Sequence, residues 1–361
     1  MIFGIRKLLS ITLLCFNLMF FLLVLFYVSG AGAFDTVSEN VTIFIYHRFG
    51  DSRYPTTNVG VDRFREQMAY LKDHDYQVIP ISLVVKALKN GRSIPAKAAV
   101  ITIDDGYLSV YNDAWPILKS FGYPFTIFLN VKAINRKYKD FVTWDQVREM
   151  AAAGVDIQDH TYSHHRLADR PEGMDDAAYR AWIADDLAKG SEILLKKLGY
   201  RSRYLALPYG EYNNIVMEEA GALGYEAVFT QDPGSVSKQT DLFMIPREPI
   251  LGNDWASMSH FKSVLERVDL PITDMTPDLD PFTEAAPARF CARLVHPERY
   301  RTGSLGIYVS ELGWNKGILE KDVVCINNSS VLKRRSNRVA VSAKEKNTGR
   351  TAIRFWLLVK P

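Results

Sequence analysis

Val100-Ile101-Thr102-Ile103-Asp104-Asp105-Gly106 is an apolar, β-branched run that stops on two adjacent acids. Such a run reads as a buried strand, and alternation along it lets Asp104 and Asp105 take different positions in one pocket. Downstream stands His160-Thr161-Tyr162-Ser163-His164. Two histidines four apart are expected on one face of a helical turn, close enough to grip one ion. One carboxylate and two imidazoles leave coordination positions open, as a catalytic metal site requires, and the spare aspartate is then available as a general base.

Outward from this stretch, residues 41 to 250 alternate short apolar runs with helical patterns, the signal of repeated β-α units. The predicted strands are Val41–Tyr46, Ala99–Ile103, Pro124–Asn130, Val155–Gln158, Tyr204–Leu207, Ala227–Thr230 and Phe243–Ile245. Helices are predicted around Phe64, Met68 and Leu71, from Asp145 to Ala153 and from Asp175 to Leu198, the last two closed by Gly154 and Gly199. His47, Asp104, Asp105, His160, His164, Pro208-Tyr209-Gly210 and Arg247 all fall at strand carboxyl ends. In a β/α barrel that rim is where active sites are assembled. The expected fold is α/β, a distorted (β/α)7 barrel, followed by a small carboxy-terminal β-sandwich.

The ends of the chain have a different texture. Arg6 and Lys7 precede an uncharged apolar run from Leu8 to Val28 and then Ala31-Gly32-Ala33. Residues 1–33 therefore read as an export signal, with an uncleaved membrane anchor as the alternative, and the expected location is the periplasm or cell surface. The barrel is expected over residues 34–270, a Pro-rich linker over 271–287 and a basic β domain over 288–361. Residues 288–361 carry 15 Lys and Arg against 5 Asp and Glu, whereas the 287 residues before them carry 29 against 36. An anionic polymer or membrane surface is the partner such a region suits, with Lys333-Arg334-Arg335 and Arg338 as contacts; a solvated face is the plainer alternative, and nucleic acid is not expected for an exported chain. In an oxidising compartment Cys291 and Cys325 either pair or remain separate buried thiols, since spacing alone does not decide.

Thr102-Ile103-Asp104-Asp105-Gly106, His160-Thr161-Tyr162-Ser163-His164 and Leu207-Pro208-Tyr209-Gly210 resemble the first three signature blocks of the polysaccharide deacetylase family. The resemblance spans about residues 41 to 255 and implies Asp104 as base, with Asp105, His160 and His164 as ligands of a divalent metal, usually zinc. Ile45-Tyr46-His47-Arg48-Phe49 is similar to the leading element of a permuted branch that includes the poly-N-acetylglucosamine deacetylases of biofilm matrices. That likeness implies His47 as general acid, Tyr209 as donor of an oxyanion-stabilising backbone N–H, and Arg247 as the arginine beside the catalytic aspartate. Three departures stand out: Ile103 where Phe is usual, His165 where Pro commonly follows the second ligand, and Ala206-Leu207 where many members carry an Arg. The last fits the permuted branch, provided that Arg247 supplies the charge.

The implied activity is metal-dependent removal of N-acetyl groups from N-acetylhexosamine units of an extracellular or cell-envelope polysaccharide. Two rivals come from other classes. A silent polysaccharide-binding protein would lack a ligand or the base, and none is missing; a non-haem iron oxygenase shares the two-histidine, one-carboxylate set but has no use for the second aspartate. Trp144, Tyr162 and Trp255 are further candidates for a sugar groove.

Overall fold

Strand Ala98–Asp105 is buried along its whole length, and it is the axis of the architecture. It pairs in parallel with Asn40–Tyr46 on one side and with Thr126–Leu129 on the other. Burial on both faces explains the near-continuous Val, Ile and Ala content that made it readable as a strand. Beyond it, Asp156–Asp159, Tyr204–Ala206 and Ala227–Phe229 continue the parallel order. Residues 40–95, 97–279 and 286–360 are described by this computed structural model. The expected export segment, residues 1–33, lies outside them. No helix among the described residues is long and apolar enough to cross a membrane.

The sheet curls into a distorted barrel and is closed by an irregular segment. Ile245 bridges Phe229 in parallel, and Glu248–Pro249 then pairs with Phe44–Ile45 of the first strand. The expected seventh strand, Phe243–Ile245, is corrected accordingly: only Ile245 of it pairs, and the ladder resumes three residues later. Pro246 has no N–H to give, so the pairing breaks where it stands.

The helices follow their caps. Asp175 accepts from the Ala178 amide at the start of Asp176–Leu198, and Gly199, at φ 84°, ends it. Thr143 and Gln146 form a reciprocal capping box at the start of Trp144–Ala152. Helix Val61–Asp73 buries Phe64, Met68 and Leu71 against the barrel.

The carboxy-terminal part is a sandwich of a five-stranded and a four-stranded sheet. Val268–Asp269, Thr351–Val359, Ser336–Lys344, Gly306–Val309 and Gly313–Lys316 form the first in that order; Ile272–Thr276, Arg289–Leu294, Val323–Asn327 and Ile318–Glu320 form the second. Their facing sides bury Phe290, Leu294, Ile307, Val341 and Trp356. The expected linker over 271–287 is thus corrected at its start, because Ile272–Thr276 pairs antiparallel with Arg289–Leu294. Its prolines, Pro271 and Pro277, flank the strand without entering it, and its side chains are mostly exposed, so neither composition nor alternation marked it. Cys291 and Cys325 sit directly opposite each other on paired strands and form a disulfide, the alternative that spacing left open.

Barrel and sandwich belong to one compact unit, Val37–Pro361. Val268–Asp269 pairs with Ala352–Ile353, and Leu357 and Val359 enter an apolar cluster with Leu167, Tyr179, Tyr212 and Val216 of the barrel.

Candidate functional site

Five of the seven candidate residues converge at the carboxyl rim within direct contact of one another. Asp105 has φ 73° and Gly106 φ 80°, so the chain swings out of the strand at the acids and turns both carboxylates into the rim. Gly106 suits this turn because its φ is left-handed, and a Cβ there would in addition press on the Leu129 side chain at 2.8 Å. Asp104 and Arg247 are both completely buried and form a two-pronged pair, Nη1 to Oδ1 at 2.7 Å and Nη2 to Oδ2 at 2.8 Å. Two further Arg247 donors go to the Thr230 carbonyl at 2.8 Å and the Thr102 hydroxyl at 3.2 Å, which fixes the guanidinium plane.

His160 donates from Nδ1 to the Ala206 carbonyl at 2.7 Å, so its Nε2 lone pair faces the acids, 3.5 Å from Asp105 Oδ1 and 3.7 Å from Asp104 Oδ2. His164 Nε2 lies 2.9 Å from Asp105 Oδ1. The ligating atoms of Asp105, His160 and His164 are all within 4.8 Å of one another. His160 Nε2 is buried with no hydrogen-bond partner, and Asp105 Oδ1, also buried, has the two imidazole Nε2 atoms before it. Buried polar atoms left unpaired and converging on one point are what a metal ion satisfies, so this set fits a divalent cation.

The helical turn expected over His160–His164 is absent. Thr161 has φ 66° and His164 φ 59°, and the two rings meet edge to face with centroids 4.9 Å apart. The loop is pinned instead by side chains: the His164 amide donates to the Thr161 hydroxyl at 3.0 Å and the Ser163 amide to Asp186 at 3.1 Å.

The charges follow from this packing. Burial opposes the Asp104 carboxylate, but the Arg247 guanidinium outweighs it and holds the carboxyl below its usual range. Burial lowers His160 to about 4, keeping it neutral and able to ligate. Burial also works against a charged His164, yet Asp105 beside it raises its pKa overall. Beneath the ligands, burial pushes Asp159 up to about 7 even though the Tyr225 hydroxyl donates to it at 2.7 Å.

His47 follows directly on the first strand and is buried, its Nδ1 without a hydrogen-bond partner, within electrostatic reach of Asp104 and Asp105. Tyr209 stands opposite, 40% exposed, its ring 5.0 Å from that of His164. Its backbone is left-handed at φ 61°, and Gly210 behind it is obligatory because a Cβ there would meet the Gln231 amide at 2.4 Å.

Two arginines to which the sequence assigned no role lie beside these residues. Arg48 is buried between the rings of Tyr54 and Tyr107, at 3.8 and 3.4 Å. Arg166 stacks at 3.8 Å on Tyr209 and pairs with Glu211. Next to the carboxyl rim opens a cleft of about 730 Å³ lined by His164, His165, Arg166, Trp182 and Tyr209 among others. Trp182 and Tyr209 are the aromatic residues of its wall, and Trp144, Tyr162 and Trp255, the candidates from sequence, do not line it. His165, ascribed no role from sequence, is part of that wall.

The fold and site define a β/α-barrel protein with a two-histidine, one-carboxylate centre and an independent buried acid beside it. Residues 91–228 match the family model of the polysaccharide deacetylases. It is 31% identical over 231 residues to the poly-beta-1,6-N-acetyl-D-glucosamine N-deacetylase of Escherichia coli strain K12, an alignment covering 54% of this chain and 34% of that protein. This chain thus spans about a third of the length of that relative. Similarity to the enzyme of the same name from Staphylococcus aureus strain MRSA252 is 26% over 230 residues, covering 63% of this chain and 77% of that protein. Among solved structures, IcaB from Ammonifex degensii superposes with a TM-score of 0.55 at 27% identity, over 63% of this chain and 97% of its own. The deacetylase PplD of Streptococcus pyogenes shares the fold, with a TM-score of 0.55 at 24% identity over 64% of this chain and 99% of its own.

Proposed function

We propose that this chain is a metal-dependent N-deacetylase of a poly-β-1,6-N-acetylglucosamine-like polysaccharide, acting outside the cytoplasm. The observation that carries the reading is the division of labour between the two acids. Asp105 Oδ1 lies 2.9 and 3.5 Å from the Nε2 atoms of His164 and His160, whereas both oxygens of Asp104 are taken by the Arg247 guanidinium, which keeps it ionised.

Hydrolysing an amide needs an activated water, a home for the tetrahedral oxyanion and a proton for the departing amine. Asp105, His160 and His164 would hold the divalent ion, zinc by the nitrogen and oxygen character of the set, and that ion supplies Lewis acidity and a water of lowered pKa. Asp104 takes the proton from the attacking water, and Arg247 keeps its carboxylate charged and oriented. The Tyr209 amide donates to the developing oxyanion, and the left-handed backbone is what aims it. His47 delivers the proton to the leaving nitrogen. The acetylated sugar enters along the cleft between Trp182 and Tyr209.

The similarity to named poly-β-1,6-N-acetylglucosamine deacetylases supports this glycan over others. The apolar run from Leu8 to Val28 supports export to the periplasm or cell surface, and the basic composition after residue 288 supports contact with an anionic polymer or membrane surface. Acetate release from poly-β-1,6-N-acetylglucosamine by the metal-loaded protein tests the proposal. Release abolished by Asp104→Asn, with metal binding retained, is the expected result; no release from a protein that binds both metal and polymer would leave a silent glycan-binding protein.

A further inference from the structure

The outward face of the five-stranded sheet carries one row of aromatic residues. Register pairing places Phe355 opposite Ala340, Ala340 opposite Tyr308 and Tyr308 opposite Trp314, so the four stand in line across four strands. Their neighbours in sequence, Ile307, Val309, Val339, Val341 and Trp356, point the other way into the sandwich core. Tyr308 and Phe355 are half-buried, with ring centroids 6.2 Å apart, and Trp314 is 55% exposed with its ring 5.3 Å from that of Tyr308. A Cβ on Gly306 would lie 3.5 and 3.8 Å from two Trp314 ring carbons. The indole therefore lies against the sheet over Gly306, where no side chain lifts it, and turns its other side to solvent.

Polar rows flank this stripe. On one side Lys316, Gly306 and Ser342 stand in register. On the other are Ser310 and Arg338, two residues along their strands from Tyr308 and Ala340, about 7 Å away, and the row ends at Leu357, which is buried against the barrel. Those three residues line a second cavity of about 500 Å³ between sandwich and barrel, together with Arg166, Tyr209 and Gln231. Arg166 and Tyr209 also line the cleft at the catalytic rim. A continuous path thus leads from the catalytic rim past Tyr209, through a groove of hydroxyl, amide and guanidinium groups, onto the aromatic row.

We infer that this path is a glycan-binding track, in which the sandwich holds the part of the polysaccharide that extends beyond the sugar being deacetylated. The inference rests on the proposed deacetylase reading for the identity of its ligand. A strip one residue wide, apolar in the middle and hydrogen-bonding along both edges, matches a pyranose chain: the C–H face of the ring covers the aromatics, and the equatorial hydroxyls meet Ser310, Ser342, Arg338 and Lys316. A protein partner would call for a broader apolar core inside its polar rim. Continuity with the catalytic cleft selects the substrate polymer as the occupant.

The test uses the full chain and poly-β-1,6-N-acetylglucosamine as probe. Binding is measured calorimetrically in the Asp104→Asn background, and KM for polymer and for the disaccharide is measured with Asp104 intact. Trp314→Ala and Tyr308→Ala are each expected to weaken polymer binding about tenfold and to raise the ratio of polymer KM to disaccharide KM by a similar factor. Trp314→Phe keeps a flat ring and retains most of the affinity, and Ile318→Ala, equally exposed on the other sheet, changes neither quantity. An unchanged affinity and KM ratio in Trp314→Ala overturns the track while leaving deacetylation standing. Polymer binding that depends on Trp314 in a protein releasing no acetate overturns the deacetylase reading and keeps the track. A dimer that Trp314→Ala dissociates would assign the row to self-association and overturn the proposal.

Discussion

Removing Arg247 strands a carboxylate inside the protein. Asp104 and Arg247 are both completely buried and joined by bonds of 2.7 and 2.8 Å. Deleting one partner of such a pair costs about 3–5 kcal/mol, whereas replacing both with neutral groups of similar size is close to neutral. Arg247→Met is therefore expected to lower stability by about 4 kcal/mol at pH 8, and Asp104→Asn/Arg247→Met to recover most of that loss. The pH dependence has a definite sign. With Arg247 present the folded pKa is depressed, so the stability the pair contributes is present at neutral pH and lost only as pH falls through the depressed pKa. Without it burial dominates, the folded pKa rises above the unfolded value of about 3.9, and stability falls as pH climbs through that raised pKa. The deficit of Arg247→Met is thus smaller at pH 5 than at pH 8. Urea unfolding of the four proteins with metal chelated measures the cycle. A deficit below about 1 kcal/mol at pH 8, or a double variant as unstable as Arg247→Met, refutes the argument.

Metal affinity is expected to fall as pH drops through the raised pKa of His164, because that proton must leave before Nε2 can ligate; His160, already neutral above about 4, adds no second step. Calorimetry in buffers of different ionisation enthalpy reads this as proton release approaching one per ion near pH 6. Arg338→Ala removes the 2.9 Å bond to the Tyr209 carbonyl and the 3.0 Å bond to Asp232, freeing the left-handed backbone that aims the Tyr209 amide. Steady-state kinetics on the disaccharide should show kcat down roughly tenfold with metal affinity unchanged. Gly190→Ala places a Cβ 3.0 Å from both Asp159 carboxylate oxygens and 3.1 Å from the Tyr162 amide, and is expected to cost about 1–3 kcal/mol in thermal unfolding while loosening the His160 loop.

The rim of the barrel was readable in the sequence because each strand ends where an apolar run meets a polar residue able to do chemistry. Asp176–Leu198 came out nearly residue for residue through Asp175 and Gly199 at its ends, while the strand expected over Ala99–Ile103 was legible through burial on both faces but runs on to include both acids, Ala98–Asp105. Asp104, Asp105, His160 and His164 do share one pocket, but by another route than the expected helix: the positive φ of Thr161 and His164 is a tertiary outcome, fixed by Asp186 and the Thr161 hydroxyl. Closure of the barrel escaped because Pro246 divides the last strand into an isolated bridge and a two-residue pairing. Arg48 and Arg166 were invisible for a different reason, since each owes its place to aromatic rings brought near only by folding. Ile272–Thr276 has few apolar residues to alternate and exists because Arg289–Leu294 offers it an edge.

The shared apolar cluster has a consequence for how this molecule can be taken apart. Leu357 and Val359 lie among barrel residues, and the last strand also carries the pairing of Val268–Asp269. Severing the chain after the barrel would expose that cluster to water and open a sheet edge, so the excised barrel should be sticky and prone to aggregate. The sandwich is thus no interchangeable cassette: a chimera that swaps it must carry matching contacts for Leu167, Tyr179 and Tyr212, and the intact protein should melt in one cooperative step.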